Sequence, residues 1–333
     1  MSRRKYSNSS SKQVLRLGVL ATALLACPAL HAQSSDVNLS SARQIQAGAL
    51  NQQKLDAGNT SGAGRSSVTA GPVNQIQAGA LNSQTLKMGN AEGGAAQSDV
   101  RVGTVNQVQA GALNSQTAEI GNASQGGRTN VNAGMVNQVQ AGALNRQVGK
   151  VGNASGGGSS NVNLGALNQI QAGALNNQAA NIGNASNGGR ANVNTGAATQ
   201  VQAGALNTQT MGIGNARGGS TNVNVGLASQ VQAGALNNQN MEIGNAQGGG
   251  NARVNVGAAT QVQAGAFNNQ RLKIGNARGA STNVNVGSVT QVQGGAFNTG
   301  EVEIGNGGGS VSVGSVIQLQ PGVFGTQKIR IGN

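Results

Sequence analysis

Residues 223–245 have the sequence VNVGLASQVQAGALNNQNMEIGN. The chain contains ten copies of this 23-residue block, and no copy has an internal insertion or deletion. The copies are residues 37–59, 68–90, 100–122, 131–153, 162–184, 193–215, 223–245, 254–276, 284–306 and 311–333. Only the connectors between them vary, from four to nine residues. Constant blocks joined by variable loops are typical of stacked structural repeats.

Apolar and polar residues alternate within the block, which is the period of a β-strand. The ninth block residue, Val231, lies between Gln230 and Gln232, for example. We predict bends near Gly226 and Gly234, with the Val, Ile and Leu side chains inside. The strands are predicted at residues 223–226, 229–233 and 239–243. The predicted fold class is all-β: a single-domain β-solenoid of ten stacked repeats of about 31 residues, with parallel, in-register strands.

The twentieth block position predicts how the repeats stack. Wherever neighbouring copies are both charged at this position, their charges are opposite. The charged members are Asp56, Lys87, Glu119, Lys150, Glu242, Lys273, Glu303 and Arg330. Such alternation is useful only if equivalent residues lie one strand spacing apart, about 4.8 Å. We therefore interpret this column as a charge ladder that fixes the parallel register.

Amide residues are the most uniform side chains when the copies are compared. Glutamine fills the eighth and tenth positions in all ten copies, and asparagine fills the fifteenth in nine. Stacked carboxamides can donate to one neighbour and accept from the other, as in cross-β stacks. We predict a structural amide ladder that includes Gln107, Gln109, Asn114, Gln138, Gln140, Asn145, Gln200, Gln202, Asn207, Gln230, Gln232 and Asn237. The alternative is that the same amides bind a sugar or an ice lattice.

Residues 1–32 have the pattern of an export signal. A basic segment precedes the apolar stretch 17–30, which is too short to span a membrane. We predict cleavage after Ala32, so that residues 33–333 form one repeat domain, secreted or at the cell surface. The alternative is a lipoprotein, because LLAC at residues 24–27 resembles a lipobox with Cys27 as the lipidated residue; Pro28 argues against it.

Removal of residues 1–32 would leave the mature chain without several reactive types of side chain. Tyr6, Cys27 and His31 are the only residues of their types, and the sequence has no Trp. Without Cys or His there is no disulfide, no thiolate or imidazole metal ligand and no Ser–His or Cys–His pair. Of 21 Lys and Arg, five lie in the leader, so the mature chain would have a net charge of +8 against its 8 acidic residues. We predict a non-enzyme without metal or cofactor.

Six arginines lie in the connectors. They are Arg65, Arg128, Arg190, Arg217, Arg253 and Arg278, and a solenoid is expected to bring them to one edge as a positive stripe. One interpretation is that they maintain solubility and prevent lateral aggregation. The other is salt-sensitive contact with acidic polysaccharide, lipopolysaccharide or extracellular DNA. No aromatic residues are interleaved with them, so base stacking is not available.

The run QAGALN at residues 202–207 resembles the centre of the curlin repeat, Gln-x-Gly-x-x-Asn. Nine copies carry it; the tenth has Gly325 where the asparagine is expected. Curlin proteins are exported amyloid subunits of biofilm fibres, so the resemblance implies a fibre subunit with an outer-membrane secretion pore and a nucleator as partners. The chain departs from the curlin pattern at Gln209, where curlin has Ala, and at Ile213, where curlin has Gln, and its repeat is longer.

Together these patterns predict a secreted structural subunit. Neither end of the repeat array has an obvious polar cap, and exposed strand edges recruit further strands. We therefore expect the protein to stack end to end with copies of itself into extracellular fibres for biofilm matrix or adhesion. The alternative is a monomeric surface solenoid that binds a glycan or ice along a flat face. Thr-x-Thr occurs only once, at residues 208–210, so no regular ice-binding threonine row is expected.

Overall fold

A computed structural model gives the structure of residues 34–332 with gaps in the connectors and at the block ends. The omitted residues within this range are 59, 62–64, 90, 93–96, 122–127, 153–158, 184, 187–189, 206, 215, 218–219, 236, 245, 248–250, 276, 278–280 and 306–308. The predicted leader, the last residue of every block and Arg278 therefore lie outside the described residues.

The first sheet contains the start of every block. Its strands are parallel. We call one block together with the connector before it a coil. Each coil contributes one strand, except that the first coil contributes two. The strands are Ser34–Leu39, Ala42–Gln46, Arg65–Gln77, Gln97–Gln109, Arg128–Ala141, Ser159–Ala172, Arg190–Ala203, Thr221–Ala233, Ala252–Ala264, the first part of Thr282–Ile304, and Ser310–Leu319. We call this the long sheet.

The second sheet contains the end of every block and is also parallel. Its strands are Gln53–Ala57, Gln84–Met88, Gln116–Ile120, Gln147–Lys150, Gln178–Ile182, Gln209–Ile213, Asn237–Ile243, Phe267–Ile274, the second part of Thr282–Ile304, and Gly322–Ile331. We call it the short sheet. Connector strands form two small parallel sheets, which we call the connector sheets: one of Thr60–Ser61 and Ala91–Glu92, and one of Ala185–Ser186, Ala216–Arg217 and Ala246–Gln247.

The register of the sheets is the register of the sequence repeat. Gln230 pairs with Gln200 on one side and with Gln261 on the other. The same one-coil offset joins every pair of neighbouring coils, including coils whose connectors differ in length. The predicted β-solenoid with parallel, in-register strands is confirmed.

The interior has an apolar half and an amide half. In the seventh coil, Val223, Val225 and Ala228 of the long sheet face Met241 and Ile243 of the short sheet, and all five are buried. The glutamines at the eighth, tenth and seventeenth positions and the asparagine at the fifteenth are buried beside them. The core is therefore about as much carboxamide as hydrocarbon.

The prediction that the ninth-position residue lies inside was wrong. The predicted division into strands 223–226 and 229–233 was also wrong, because one strand, Thr221–Ala233, runs through Gly226. Inward-facing residues alternate on both sides of residues 226 and 227, which both face outward, so Gln230 and Gln232 are buried and Val231 is half-buried on the outer face. A Cβ on Gly226 would lie 2.5 Å from the Gly196 carbonyl oxygen. Two successive residues, Gly226 and Leu227, face outward here, and the glycine allows the backbones of neighbouring coils to stack closely.

The predicted bend near Gly234 is present, and its form changes along the solenoid. In the fifth coil, Gly173 and Leu175 both have positive φ, 78° and 57°. In the eighth and ninth coils the leucine is replaced by Phe267 and Phe297, which lie in extended strand, and the preceding glycine, Gly265 or Gly295, takes a φ of about 150°. In these two coils the glycine is the residue of the pair with positive φ, a conformation that glycine adopts without a side-chain clash.

Candidate functional site

The eighth-position glutamines form one continuous amide ladder. In each coil the Nε2 atom donates to the Oε1 atom of the preceding coil, from Gln75 to Gln44 through to Gln318 to Gln291, at 2.7–3.0 Å. Every bond has the same direction. The ladder therefore has polarity: N–H donors face the first coil and carbonyl acceptors face the tenth.

The tenth-position glutamines and fifteenth-position asparagines form two further ladders. The predicted members Gln107, Gln109, Asn114, Gln138, Gln140, Asn145, Gln200, Gln202, Asn207, Gln230, Gln232 and Asn237 all belong to one of the three ladders. The asparagine ladder reverses between the seventh and eighth coils, where Asn268 donates to Asn298 instead of to Asn237. Asn237 and Asn268 then keep buried Oδ1 atoms without a described partner, at the point where leucine gives way to phenylalanine in the bend.

Buried glutamines also tie the two sheets together. Gln230 Nε2 donates to the Asn240 carbonyl oxygen at 3.2 Å, and Gln232 Nε2 donates to that of Asn238 at 3.3 Å, both in the short-sheet segment of the same coil. Each of these amides thus bridges two coils and two sheets. Such satisfied networks stabilise one specific packing, because loss of one member leaves buried polar groups unpaired.

The predicted charge ladder lies on the outer face of the short sheet. Its members stand in register, as in Asp56 to Lys87 and Glu242 to Lys273. Lys150 Nζ lies 3.4 Å from Glu119 Oε1. Glu303 lies between two cations, with 3.1 Å from its Oε2 to Lys273 Nζ and 3.4 Å from its Oε1 to Arg330 Nη1.

Glu303 is the most enclosed carboxylate of this ladder. Burial raises the pKa of its side chain, but the hydrogen bond and charge of Lys273, together with the charge of Arg271, outweigh burial and hold the pKa below its ordinary value. The carboxylate is therefore ionised at neutral pH. It links the eighth, ninth and tenth coils electrostatically.

The predicted single stripe of six arginines is divided in the structure. Arg65, Arg128 and Arg190 occupy one column at the start of the long-sheet strands, on alternate coils. Arg253 lies two residues further along its strand, paired with Asn222 and Asn283. Arg217 lies in a connector sheet, paired with Gln247. The five described arginines therefore do not share one column, because their connectors place them at different distances from the block; Arg278 lies outside the described residues.

Sequence reasoning missed two ladders of exposed asparagines on the outer face of the long sheet. One, immediately before the blocks, joins Asn222, Asn192, Asn161 and Asn130 by bonds of 3.0–3.1 Å. The other, at the second block position, joins Asn285, Asn255, Asn224, Asn194, Asn163 and Asn132 at 3.0–3.4 Å. The signal was present in the recurring Asn-Val-Asn triplet, such as residues 222–224.

An exposed apolar ridge at the bend was also missed. Leu81, Leu113, Leu144 and Leu175 are each about 40% exposed. The ridge continues as three stacked rings, with centroids of Phe267 and Phe297 5.1 Å apart and those of Phe297 and Phe324 5.4 Å apart. These side chains all share the fourteenth block position, so the repeat alignment contained the signal.

Comparison with known proteins assigns the chain to no group: no family model matches it, and no curated protein or solved structure is significantly similar to it. The class is therefore defined by the fold alone, a parallel β-solenoid with an amide-rich interior. Within the described part of the chain, no helix has the length and apolar character to cross a membrane. The same residues contain no cluster of three or more His, Cys, Asp or Glu side chains arranged to hold a metal.

Proposed function

We propose that the protein is a secreted structural subunit whose copies stack head to tail into extracellular fibres for biofilm matrix or surface adhesion. The observation that supports this proposal most strongly is the direction of the eighth-position amide ladder. Gln44 Nε2 in the first coil has no acceptor among the described residues, and Gln318 Oε1 in the tenth receives no described donor. Stacked head to tail, Gln44 of one copy donates to Gln318 of the next; head-to-head stacking would oppose two like groups.

The charge ladder and the burial pattern support the same arrangement, whereas the glycine column does not continue across the junction, because the first coil has Ser40 there. Arg330 of one copy would face Asp56 of the next, which continues the alternation of the charge ladder, whereas Lys328 would face Lys54. Two exposed lysines can separate at little cost. Strand Gly322–Ile331 is exposed throughout, whereas its seventh-coil equivalent, Asn237–Ile243, is buried at alternate residues. Cover by another first coil would complete the burial pattern of the interior coils.

Export and biofilm assembly are supported by the sequence. The basic and apolar segments of residues 1–32 favour export, and the Gln-x-Gly-x-x-Asn core resembles curlin repeats, whose subunits are exported and polymerise. On this basis the partners are copies of the same chain, with an outer-membrane secretion pore and a nucleator. No catalytic role is included in the proposal.

Electron microscopy and elongation kinetics of the leaderless protein test the proposal. Gln44→Glu keeps an oxygen that accepts from Gln75 within the chain but replaces the N–H donor that faces the next copy. We expect fibres in the unchanged protein, and slow elongation but an unchanged melting temperature in Gln44→Glu. Recovery of elongation is expected below about pH 4, where the protonated acid regains a donor.

Gln318→Glu is the matched control. It keeps the acceptor that faces the next copy and removes the donor to Gln291 within the chain. The melting temperature should fall in this variant, while the junction chemistry is retained. Absence of fibres from the unchanged protein, or equal elongation of Gln44→Glu and the unchanged protein at neutral pH, would refute head-to-tail stacking through this ladder.

Binding of a glycan along a flat face is a second candidate function. The exposed asparagine ladders favour it, because ordered amides at strand spacing can bond to sugar hydroxyls. Binding of ice has weaker support. One outward column contains Thr199, Thr260 and Thr290, but Ser229 interrupts this row of threonines. Glycan retention by a protein that remains monomeric would favour the second function over the first.

A further inference from the structure

The arginine column stands at the edge of the long sheet, three residues before each block. In coil order it contains Ser34, Arg65, Gln97, Arg128, Ser159 and Arg190. The three arginines are exposed. They occupy every second coil, so their backbone positions are about 9.6 Å apart, twice the strand spacing.

Two shallow grooves adjoin this column. Arg65 and Arg128 line the first, Arg190 lines the second, and Ser159 lines both. The grooves therefore meet at Ser159 and form a track along the solenoid from the second coil to the seventh. Seryl and asparaginyl side chains supply most of the remaining lining.

The track is positively charged. None of the three guanidinium groups forms an ion pair with a carboxylate in the described part of the chain. Asp99 is the only carboxylate among the described residues that line the grooves, and it is already engaged. Its Oδ2 pairs with Arg101 at 3.1 Å, and its Oδ1 accepts from Asn130 Nδ2 at 3.1 Å.

The asparagine ladder beside the arginines supplies neutral hydrogen-bonding groups. Asn130, Asn161, Asn192 and Asn222 line the same two grooves. A carboxamide has two N–H donors and an oxygen with two lone pairs, and each ladder bond uses one donor and one lone pair. Asn161 and Asn192, the two interior members on consecutive coils, thus each keep one N–H and one lone pair for a ligand.

We propose that this track binds an extended acidic polysaccharide that lies along the solenoid and carries a carboxylate on every second sugar ring. One ring advances such a polymer by roughly one strand spacing, so alternate carboxylates meet alternate arginines while ring hydroxyls bond to the asparagines. The track lies within a single chain. Binding therefore does not depend on the proposed fibre.

A nucleic acid fits the track less well. In a duplex, each strand carries a phosphate about every 3.4 Å along the helix axis, much more densely than the arginines recur. Single strands also bind through bases stacked on aromatic side chains, and no aromatic residue lines either groove among the described residues. The spacing and the amides both favour a sugar polymer.

Binding of the leaderless, monomeric protein to three polymers of equal length tests the proposal. They are a hyaluronan fragment with one carboxylate per two rings, polygalacturonate with one on every ring, and single-stranded DNA. We expect the hyaluronan fragment to bind most tightly and the binding to weaken with salt. Replacing Arg65, Arg128 and Arg190 by serine, the residue that this column holds at Ser159, should lower that affinity at least about tenfold.

The matched control replaces Arg43, Lys54 and Arg146 by serine, which makes the same change in net charge with exposed cations outside the column and the grooves. Hyaluronan affinity should stay within about twofold of the unchanged protein, since only distant, screened charges are lost. If the two triple variants lost hyaluronan affinity equally, the proposed site would be wrong, because net charge alone would then explain the binding. Tighter binding of polygalacturonate or DNA than of hyaluronan would overturn the assigned charge spacing or polymer class.

A gain-of-function variant tests the same site independently of any loss of folding. Gln97→Arg with Ser159→Arg places an arginine on every coil from the second to the sixth. Preference should shift from the hyaluronan fragment to polygalacturonate, because the charge spacing is halved. An unchanged preference would contradict recognition by arginine spacing.

Discussion

Gln230 Nε2 lies 2.8 Å from Gln200 Oε1, and both side chains are buried in the middle of the solenoid. Gln200 itself donates to Gln169 Oε1 at 2.7 Å and to the Thr210 carbonyl oxygen at 3.0 Å. One amide therefore joins three coils and both sheets. The interior is held together by directional bonds as well as by apolar contact.

Replacement of Gln200 by methionine should destabilise the fold strongly. The change keeps the length of the side chain but leaves amide groups of Gln169 and Gln230 unpaired in the core, at about 1–3 kcal/mol for each. Val201→Thr is the matched control, because Val201 faces outward and the shapes of valine and threonine are similar. Thermal melting followed by circular dichroism should show a large decrease for Gln200→Met and a small change for Val201→Thr. The opposite ranking would mean that valine faces the core.

Gly226→Ala should destabilise the stack at the point where strand parity changes. The added Cβ would lie 2.5 Å from the Gly196 carbonyl oxygen and 3.5 Å from its carbonyl carbon, and backbone cannot move aside within a paired sheet. Gly294→Ala is the control, because the nearest atom to its added Cβ is 4.0 Å away and other coils have alanine at this position, such as Ala264. Urea denaturation should show a lower free energy of unfolding for Gly226→Ala and an unchanged free energy of unfolding for Gly294→Ala. Equal losses would exclude close backbone stacking as the cause.

The charge cluster around Glu303 should make stability depend on pH. The pKa of this carboxyl is lower in the folded state, so its contribution is present above the ordinary carboxyl pKa and is lost as the pH falls through the folded-state value. Glu303→Gln should therefore lower the melting temperature at pH 7, and the difference from the unchanged protein should shrink in acid. Asp36→Asn, at an exposed carboxyl, is the control. A difference that stays constant with pH would refute the electrostatic role of Glu303.

Insertions should be tolerated in connectors and not in strands. One residue added after Val231 shifts the following side chains to the opposite face, so Gln232 would point outward. Two glycines added after Gly249 lengthen a connector, and connectors already differ in length in the sequence. Limited proteolysis should cut the first variant rapidly and leave the second resistant. Equal resistance would contradict the assigned strand.

Most of the fold could be predicted from the sequence, because the alternating charges and the constant block length both indicate how neighbouring coils align. The alternating signs of residues such as Lys87 and Glu119 have a simple meaning only in parallel, in-register coils. Which face of the strand points inward could not be predicted after Gly226. Strict alternation is compatible with either face pointing inward, so Gln230 and Val231 were equally consistent with the core. The two successive outward residues, Gly226 and Leu227, place the glutamine inside.

The arginine column was missed in the sequence for a different reason. Arg65, Arg128 and Arg190 each lie three residues before a block, so counting backward from the block would have separated them from Arg253 and Arg217. Grouping all connector arginines together hid that column. The asparagine ladders were missed because outward polar residues of a strand are expected wherever one face is exposed, and only stacking turns them into an ordered array.

Cryo-electron microscopy of fibres grown from the leaderless protein tests the proposed head-to-tail continuation most directly. Strands should lie perpendicular to the fibre axis, with a layer spacing of about 4.8 Å and a subunit repeat of about 48 Å for ten coils. The Gln44 and Gln318 carboxamides of adjacent copies should be in hydrogen-bond contact. Strands parallel to the axis, or subunits joined side by side with these amides apart, would contradict the proposal.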